Sequence, residues 1–116
     1  MKIGIVGTGL VGSTIAYSIL MRKAATLIVM IDVNKERSAA EAADISHAVP
    51  FTQPTAVSSG EYADLAGAGI VVIAAGVNQK PGESRLELLS RNAAIMKAIV
   101  PQILKYAPEA MLLVTT

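Results

Sequence analysis

The sequence predicts an α/β fold: a doubly wound parallel sheet of about five strands with helices on both faces. Three observations carry this. Short apolar runs alternate with longer segments of helical period. The main runs are continuously apolar rather than alternating, as in strands covered on both faces. Their strand–helix–strand order makes βαβ units, whose right-handed crossovers favour the doubly wound arrangement.

Lys2–Val6 is a β-branched run ending at Gly7. Leu10–Arg22 follows as a helix, with Leu10, Val11, Thr14, Ile15, Ser18 and Ile19 at helical spacing. Leu27–Ile31 reads as a second strand, closed by Asp32. Lys35–Ser46 is Ala-rich and helical, with Ala39, Ala42, Ala43 and Ile45 expected inward. Pro50 and Pro54 then break the chain, and Thr55–Ser58 is a weak edge strand. Ile70–Ala75 is a third strong strand between Gly69 and Gly76. Glu83–Tyr106 is helical, with Leu86, Leu89, Ile95, Ile99 and Ile103 among its apolar positions. Pro101 lacks the N–H a helix interior needs, so a kink or break is expected near it. Met111–Val114 is the last apolar strand.

Composition bounds the function. A chain of 116 residues makes one domain. It is 53% hydrophobic and only 16% charged, which excludes a disordered chain. With aromatics at 3%, the core must be aliphatic, and much apolar surface must be hidden somewhere. Ten basic against nine acidic residues argue against a nucleic-acid partner. Without cysteine there is no disulfide framework, which fits a reducing, cytoplasmic setting. With a single histidine besides, no metal site is expected. The apolar runs Ala24–Ile31 and Ala68–Gly76 fall short of the roughly 20 residues that cross a membrane. No signal peptide is expected either.

Gly7-Thr8-Gly9-Leu10-Val11-Gly12 is a G-x-G-x-x-G placed between a strand and a helix. Gly7 permits the tight turn, Gly9 lets the backbone approach a pyrophosphate, and Gly12 lets the helix lie close to the sheet. The helix N-terminus offers free N–H groups to the phosphates. The plain alternative is a tight turn with no ligand. Asp32 lies twenty residues after Gly12, where a carboxylate accepts from the ribose hydroxyls of an adenosine. It would repel a 2′-phosphate, so NAD is expected over NADP. Arg37 weakens that preference, because an arginine accommodates such a phosphate. Asp32 could also be merely a turn residue capping the next helix. No P-loop signature is present. These features together describe a Rossmann-type dinucleotide-binding domain over residues 1–116.

Further segments carry a resemblance. Ile3–Ser13, Ile31-Asp32-Val33, Asp44–Ala48, Ala74–Leu86 and Arg91-Asn92 together resemble the N-terminal half of bacterial L-lactate dehydrogenases. Ala74–Leu86 is the most specific of these. In that family it is the mobile loop that closes over the substrate. The resemblance implies that Arg85 polarises the substrate carbonyl, a task suited to a permanently charged guanidinium. It implies that Gln79 stands where lactate and malate dehydrogenases differ, glutamine suiting the methyl group of pyruvate. It implies cofactor contacts at Leu10, Val11, Arg37, Tyr62, Ala75, Gly76, Val77, Ser90 and Thr115. Taken without the resemblance, Lys80, Glu83 and Arg85 would be ordinary solvated loop charges.

The family's catalytic histidine, its partner aspartate and its carboxylate-binding arginine have no match here. His47, the sole histidine, matches a position at the end of the second helix and is expected to be structural and partly buried. The chain is therefore expected to bind NAD without catalysing by itself, the catalytic C-terminal domain of the family being absent from these residues. Three other readings stand beside this one: a malate dehydrogenase cofactor domain, a nucleotide-sensing module, and a structural module with a relic turn. The apolar excess suggests surfaces left bare, and hence self-association, most simply as a dimer. The Gln79–Arg85 loop is expected to be disordered.

Overall fold

The computed structural model describes all 116 residues. The apolar runs form strands β1 (Lys2–Val6), β2 (Leu27–Ile31), β3 (Ala56–Ser59), β4 (Ile70–Ile73) and β5 (Met111–Val114). They make one sheet in the order β3-β2-β1-β4-β5, with every pairing parallel. Helices α1 (Leu10–Met21), α2 (Lys35–Ser46) and α3 (Arg85–Tyr106) supply the crossovers together with a short 3-10 turn at Tyr62–Leu65. No helix is long and apolar enough to cross a membrane.

Side chains alternate across the sheet as strand geometry requires. Ile3, Ile5, Ile28, Met30 and Val72 point to one face and meet Ala16, Leu20, Ala42 and Ile45 of α1 and α2. Val6, Val29, Ile31, Val71 and Ile73 point to the other and meet Leu65, Ile99 and Ile103. At Gly4 a Cβ would stand 2.3 Å from the Leu65 side chain, so the absent side chain makes room for that leucine against the sheet.

The buried faces of the helices take in only part of the apolar positions that mark them in the sequence, and in α2 two positions expected inward lie outside. The buried stripe of α1 is Gly12, Ala16 and Leu20, while Leu10 and Val11 are exposed. The glycine turn brings the start of α1 hard against the sheet, and that rotates its inner face. In α2 the buried residues are Ser38, Ala42 and Ile45, and Ala39 and Ala43 lie outside. Ser38 is tolerated inside because its hydroxyl donates to the Lys35 carbonyl at 3.1 Å. In α3 Ile99 and Ile103 are buried, whereas Leu86 and Leu89 are exposed. A helix of 22 residues is about 33 Å long and outruns the strands beneath it, so its first turns overhang their carboxyl ends.

The helix α3 runs unbroken through Pro101. Pro101 is exposed, so the carbonyl it leaves unpaired faces water, while buried Ile99 and Ile103 anchor the turns on either side. His47 sits at the C-terminal cap of α2 as expected, but it is exposed rather than partly buried.

Candidate nucleotide-binding cleft

The sheet order places β1 at its centre, with β2 and β4 on either side. Connections leave the carboxyl ends of β1 and β4 toward opposite directions, and a crevice opens between them. Gly7 closes β1 with a φ of +100°, a conformation that favours glycine. A Cβ on Gly7 would stand 2.4 Å from the Ala75 backbone nitrogen. One on Gly12 would stand 1.8 Å from the Gly7 carbonyl oxygen. These two glycines are therefore required by the turn and by the close approach of α1. Gly9 differs, because the nearest atom to a Cβ there is an Arg37 guanidinium nitrogen at 4.0 Å. Its open side faces the cleft.

Gly9 is also the N-cap of α1 and contributes no side-chain cap, and the first turn carries no acidic residue. The N–H groups of Leu10, Val11 and Gly12 thus have no intrahelical partner and no competing carboxylate. Such an end suits a phosphate.

Asp32, at the end of β2, lies across from this turn. Its Oδ2 accepts from the Thr8 backbone N–H at 2.7 Å and from the Thr8 hydroxyl at 3.0 Å. Its Oδ1 accepts from the Asn34 backbone N–H at 3.0 Å. Partial burial pushes the carboxyl up, but the Thr8 and Asn34 hydrogen bonds and the charge of Arg37 together outweigh it and hold it below its ordinary value. The side chain is thus a fixed carboxylate at neutral pH. Asp32 does serve its own turn, but the N-cap of α2 is Asn34, whose side chain accepts from the Arg37 backbone N–H. Half-buried Tyr62 stands nearby. Burial, and after it the Asp32 charge, push its hydroxyl up, so it remains a neutral donor.

The structure gathers Gly7, Gly9, Asp32, Arg37, Tyr62, Ala75, Gly76 and Val77 around one cavity of about 500 Å³. That is room for part of a dinucleotide in an open crevice. Gly12 lies beneath it, in the packing of α1 on the turn. Leu10 and Val11 bring their backbone to the helix end while their side chains are exposed. Ser90 lies outside this cavity, beside the loop residues Lys80–Glu83, with its hydroxyl donating to the Leu86 carbonyl. Thr115 is exposed just past β5, and its N–H and hydroxyl both donate to the Ile73 carbonyl.

Gln79 and Arg85 do not line the cavity. Gln79 is exposed and its amide donates to the Glu83 carbonyl at 2.6 Å. Arg85 is the exposed first residue of α3, behind a capping box formed by Ser84 and Glu87. The loop before it, expected to be disordered, holds a defined turn: the Glu83 N–H donates to the Lys80 carbonyl, and the Lys80 N–H donates to the Glu83 carboxylate. Glu83 is no solvated loop charge. Its side chain is only 6% exposed and pairs with Arg91 at 2.6 Å.

Several contributors were not picked out from the sequence. Fully buried Thr8 orients Asp32. Asn92 accepts from the Val77 N–H at 3.1 Å and so holds one wall of the cavity. Ile95, Ala98, Ile99 and Gln102 of α3 line that wall. Their spacing marks one helix face, a signal that points to burial of any kind.

The family model for the NAD-binding domain of lactate/malate dehydrogenases matches residues 1–116. The L-lactate dehydrogenase of Geotalea daltonii is 59% identical over all of this chain, which corresponds to 37% of that protein. That of Thermus aquaticus is 52% identical over the same extent. Among solved structures, a lactate dehydrogenase from a deep-sea metagenome superposes with a TM-score of 0.92 at 40% identity, over 97% of this chain and 36% of that one. The malate dehydrogenase of Archaeoglobus fulgidus in complex with NADH gives a TM-score of 0.91 at 39% identity, over 98% of this chain and 40% of that one. The chain spans a little over a third of the length of the curated relatives it matches.

Proposed function

The chain belongs to the lactate/malate dehydrogenase family as its NAD-binding domain, and from that premise we propose which residues hold the cofactor and which side of the reaction this domain serves. The observation that carries the reading is the pairing of an uncapped helix end at Gly9 with the fixed Asp32 carboxylate across one cavity. The first-turn N–H groups of α1 take the pyrophosphate. Asp32 accepts from the adenosine ribose hydroxyls and disfavours a 2′-phosphate, with Arg37 and Tyr62 beside it. The backbone at Ala75, Gly76 and Val77 carries the cofactor toward the loop, and Ser90 and Thr115 are the outer contacts. NAD, when bound, supplies a hydride acceptor; the residues here bind it, orient it and present substrate-side groups.

On the substrate side we assign lactate and pyruvate rather than malate and oxaloacetate. Gln79 supports this, because a neutral amide offers no charge to a second substrate carboxylate. Arg85 donates to the carbonyl oxygen of the substrate as negative charge develops there. His47 lies at the far end of α2 and outside the cavity, so proton acceptance is assigned to a group outside residues 1–116. In this reading the chain alone is an NAD-binding module without lactate oxidation of its own, and the absence of cysteine fits a reducing, cytoplasmic setting for it. Two copies associate through exposed apolar surface, most simply as a dimer.

NMR spectra of the chain titrated with NADH test the assignment. Amide shifts centred on Gly9, Asp32 and Gly76 are expected. Shifts confined to residues outside the cleft would overturn it. In a full-length protein carrying this domain, pyruvate reduction outpaces oxaloacetate reduction, and the reverse order would overturn the choice of substrate.

A further inference from the structure

Two adjacent side chains on α3 face the segment between β4 and that helix, and they hold different parts of it. Arg91 donates to both carboxylate oxygens of Glu83, at 2.9 and 2.6 Å, and to the Asn78 carbonyl at 3.4 Å. Asn92 accepts from the Val77 N–H at 3.1 Å. Val77 lines the nucleotide cavity, while Glu83 organises the turn that carries Gln79 and leads through Ser84 to Arg85. The Glu83–Arg91 pair also differs from the other ion pair of the chain. Lys35 and Glu61 are 75% and 62% exposed, whereas the Glu83 side chain is 6% exposed and Arg91 33%. An exposed pair contributes little to order, but a shielded, charge-assisted one does.

We infer that Arg91 and Asn92 are positioning residues. Arg91 acts with Glu83 to fix the substrate-side loop, and Asn92 fixes the adjoining cofactor-side wall, so that one turn of α3 sets both halves of the site. This rests on the proposed roles of Gln79, Arg85 and Val77. Because Arg91 and Asn92 share a rigid helix, the loop is referenced to the cavity wall and not only to itself. No contact between Arg91 or Glu83 and a ligand is required. Their effect passes through backbone held in place.

Residue-resolved amide hydrogen exchange on the chain, with and without NADH, tests this. Glu83→Gln and Arg91→Met are expected to speed exchange at Lys80 and Glu83 on the order of tenfold or more. Both should leave Val77 and the core amides of β1 and β4 unchanged. Arg91→Lys, which keeps a charged donor, retains most of the protection. Asn92→Leu is expected to expose the Val77 amide and weaken NADH binding, and Asn92→Asp, which keeps the acceptor, restores the Val77 protection. Unchanged loop exchange in both Glu83→Gln and Arg91→Met would overturn the loop half. Equal acceleration throughout the sheet would overturn it too, since the pair would then be a general stabiliser. If the parent chain binds NADH and Asn92→Leu binds it equally well, the wall half is overturned. Failure of the parent chain to bind NADH would instead count against the proposed cofactor site, and the exchange pattern at Lys80 and Glu83 would still decide the loop half.

Discussion

At the residue scale, the glycine turn separates two requirements that one motif joins. Gly12 faces backbone at 1.8 Å, so Gly12→Ala forces α1 away from the turn and is expected to lower stability by about 1–3 kcal/mol in denaturant titration. Gly9 has open space on the cavity side, so Gly9→Ala should fold with unchanged stability and lose NADH affinity. Equal loss of stability in the two variants would contradict this division. Asp32 gives a pH signature. Its folded-state pKa is held below the ordinary value by hydrogen bonds and the Arg37 charge that together outweigh its burial. It therefore adds stability above an unfolded pKa of about 4, and that share is lost as pH falls through the folded pKa. Asp32→Asn should consequently narrow its stability gap to the parent below about pH 4. The same variant should bind NADPH better relative to NADH, since Arg37 then faces the 2′-phosphate without an opposing carboxylate. Asp32 and the glycines were legible in the sequence because their demands are local and fixed by spacing. Thr8, Glu83 and Asn92 were not. Their roles arise where residues distant in sequence meet, Thr8 with Asp32, Glu83 with Arg91, and Asn92 with Val77.

At the scale of elements, every strand and helix expected from periodicity is present, but the inward face of α2 was read less well, with Ser38 in place of Ala39 and Ala43. Periodicity locates a helix, whereas the contact with the sheet rotates it. Leu10 and Val11 look like core residues in sequence and are exposed because Gly12 must face the turn. Leu86 and Leu89 look like core and project beyond the strands. The start of α3 is reinforced by its own chemistry, the Ser84 hydroxyl accepting from the Glu87 N–H and the Glu87 carboxylate accepting from the Ser84 N–H. Pro101 is the element's weak point. Pro101→Ala restores a helix hydrogen bond at an exposed site, offset in part by greater freedom of the unfolded chain. A net gain of about 1–2 kcal/mol is expected by thermal or urea unfolding. A loss would mean that the proline's packing matters more than the missing bond.

At the scale of the whole molecule, the low charged fraction of 16% finds its counterpart on the surface rather than in the core. Only 26 of 116 residues are buried, while Leu10, Val33, Phe51, Leu86, Leu89, Met111 and Val114 are all more than half exposed. Edge strand β5 exposes Met111 and Leu113 on one face and Val114 on the other, beside unpaired backbone, the kind of edge on which a further strand or a second copy can pair. Sedimentation at tens of micromolar (on the order of the concentrations at which such edges pair) is expected to show a dimer. A strictly monomeric profile would contradict self-association. The cleft lies at the centre of the sheet, between β1 and β4, and none of the residues lining its cavity comes from that edge strand. Calorimetric titration of the 116-residue chain with NADH and NADPH in parallel therefore decides whether this cleft holds NAD. One NADH site per chain and markedly weaker binding of NADPH are expected. Binding of neither nucleotide, or of NADPH as tightly as NADH, would contradict that assignment.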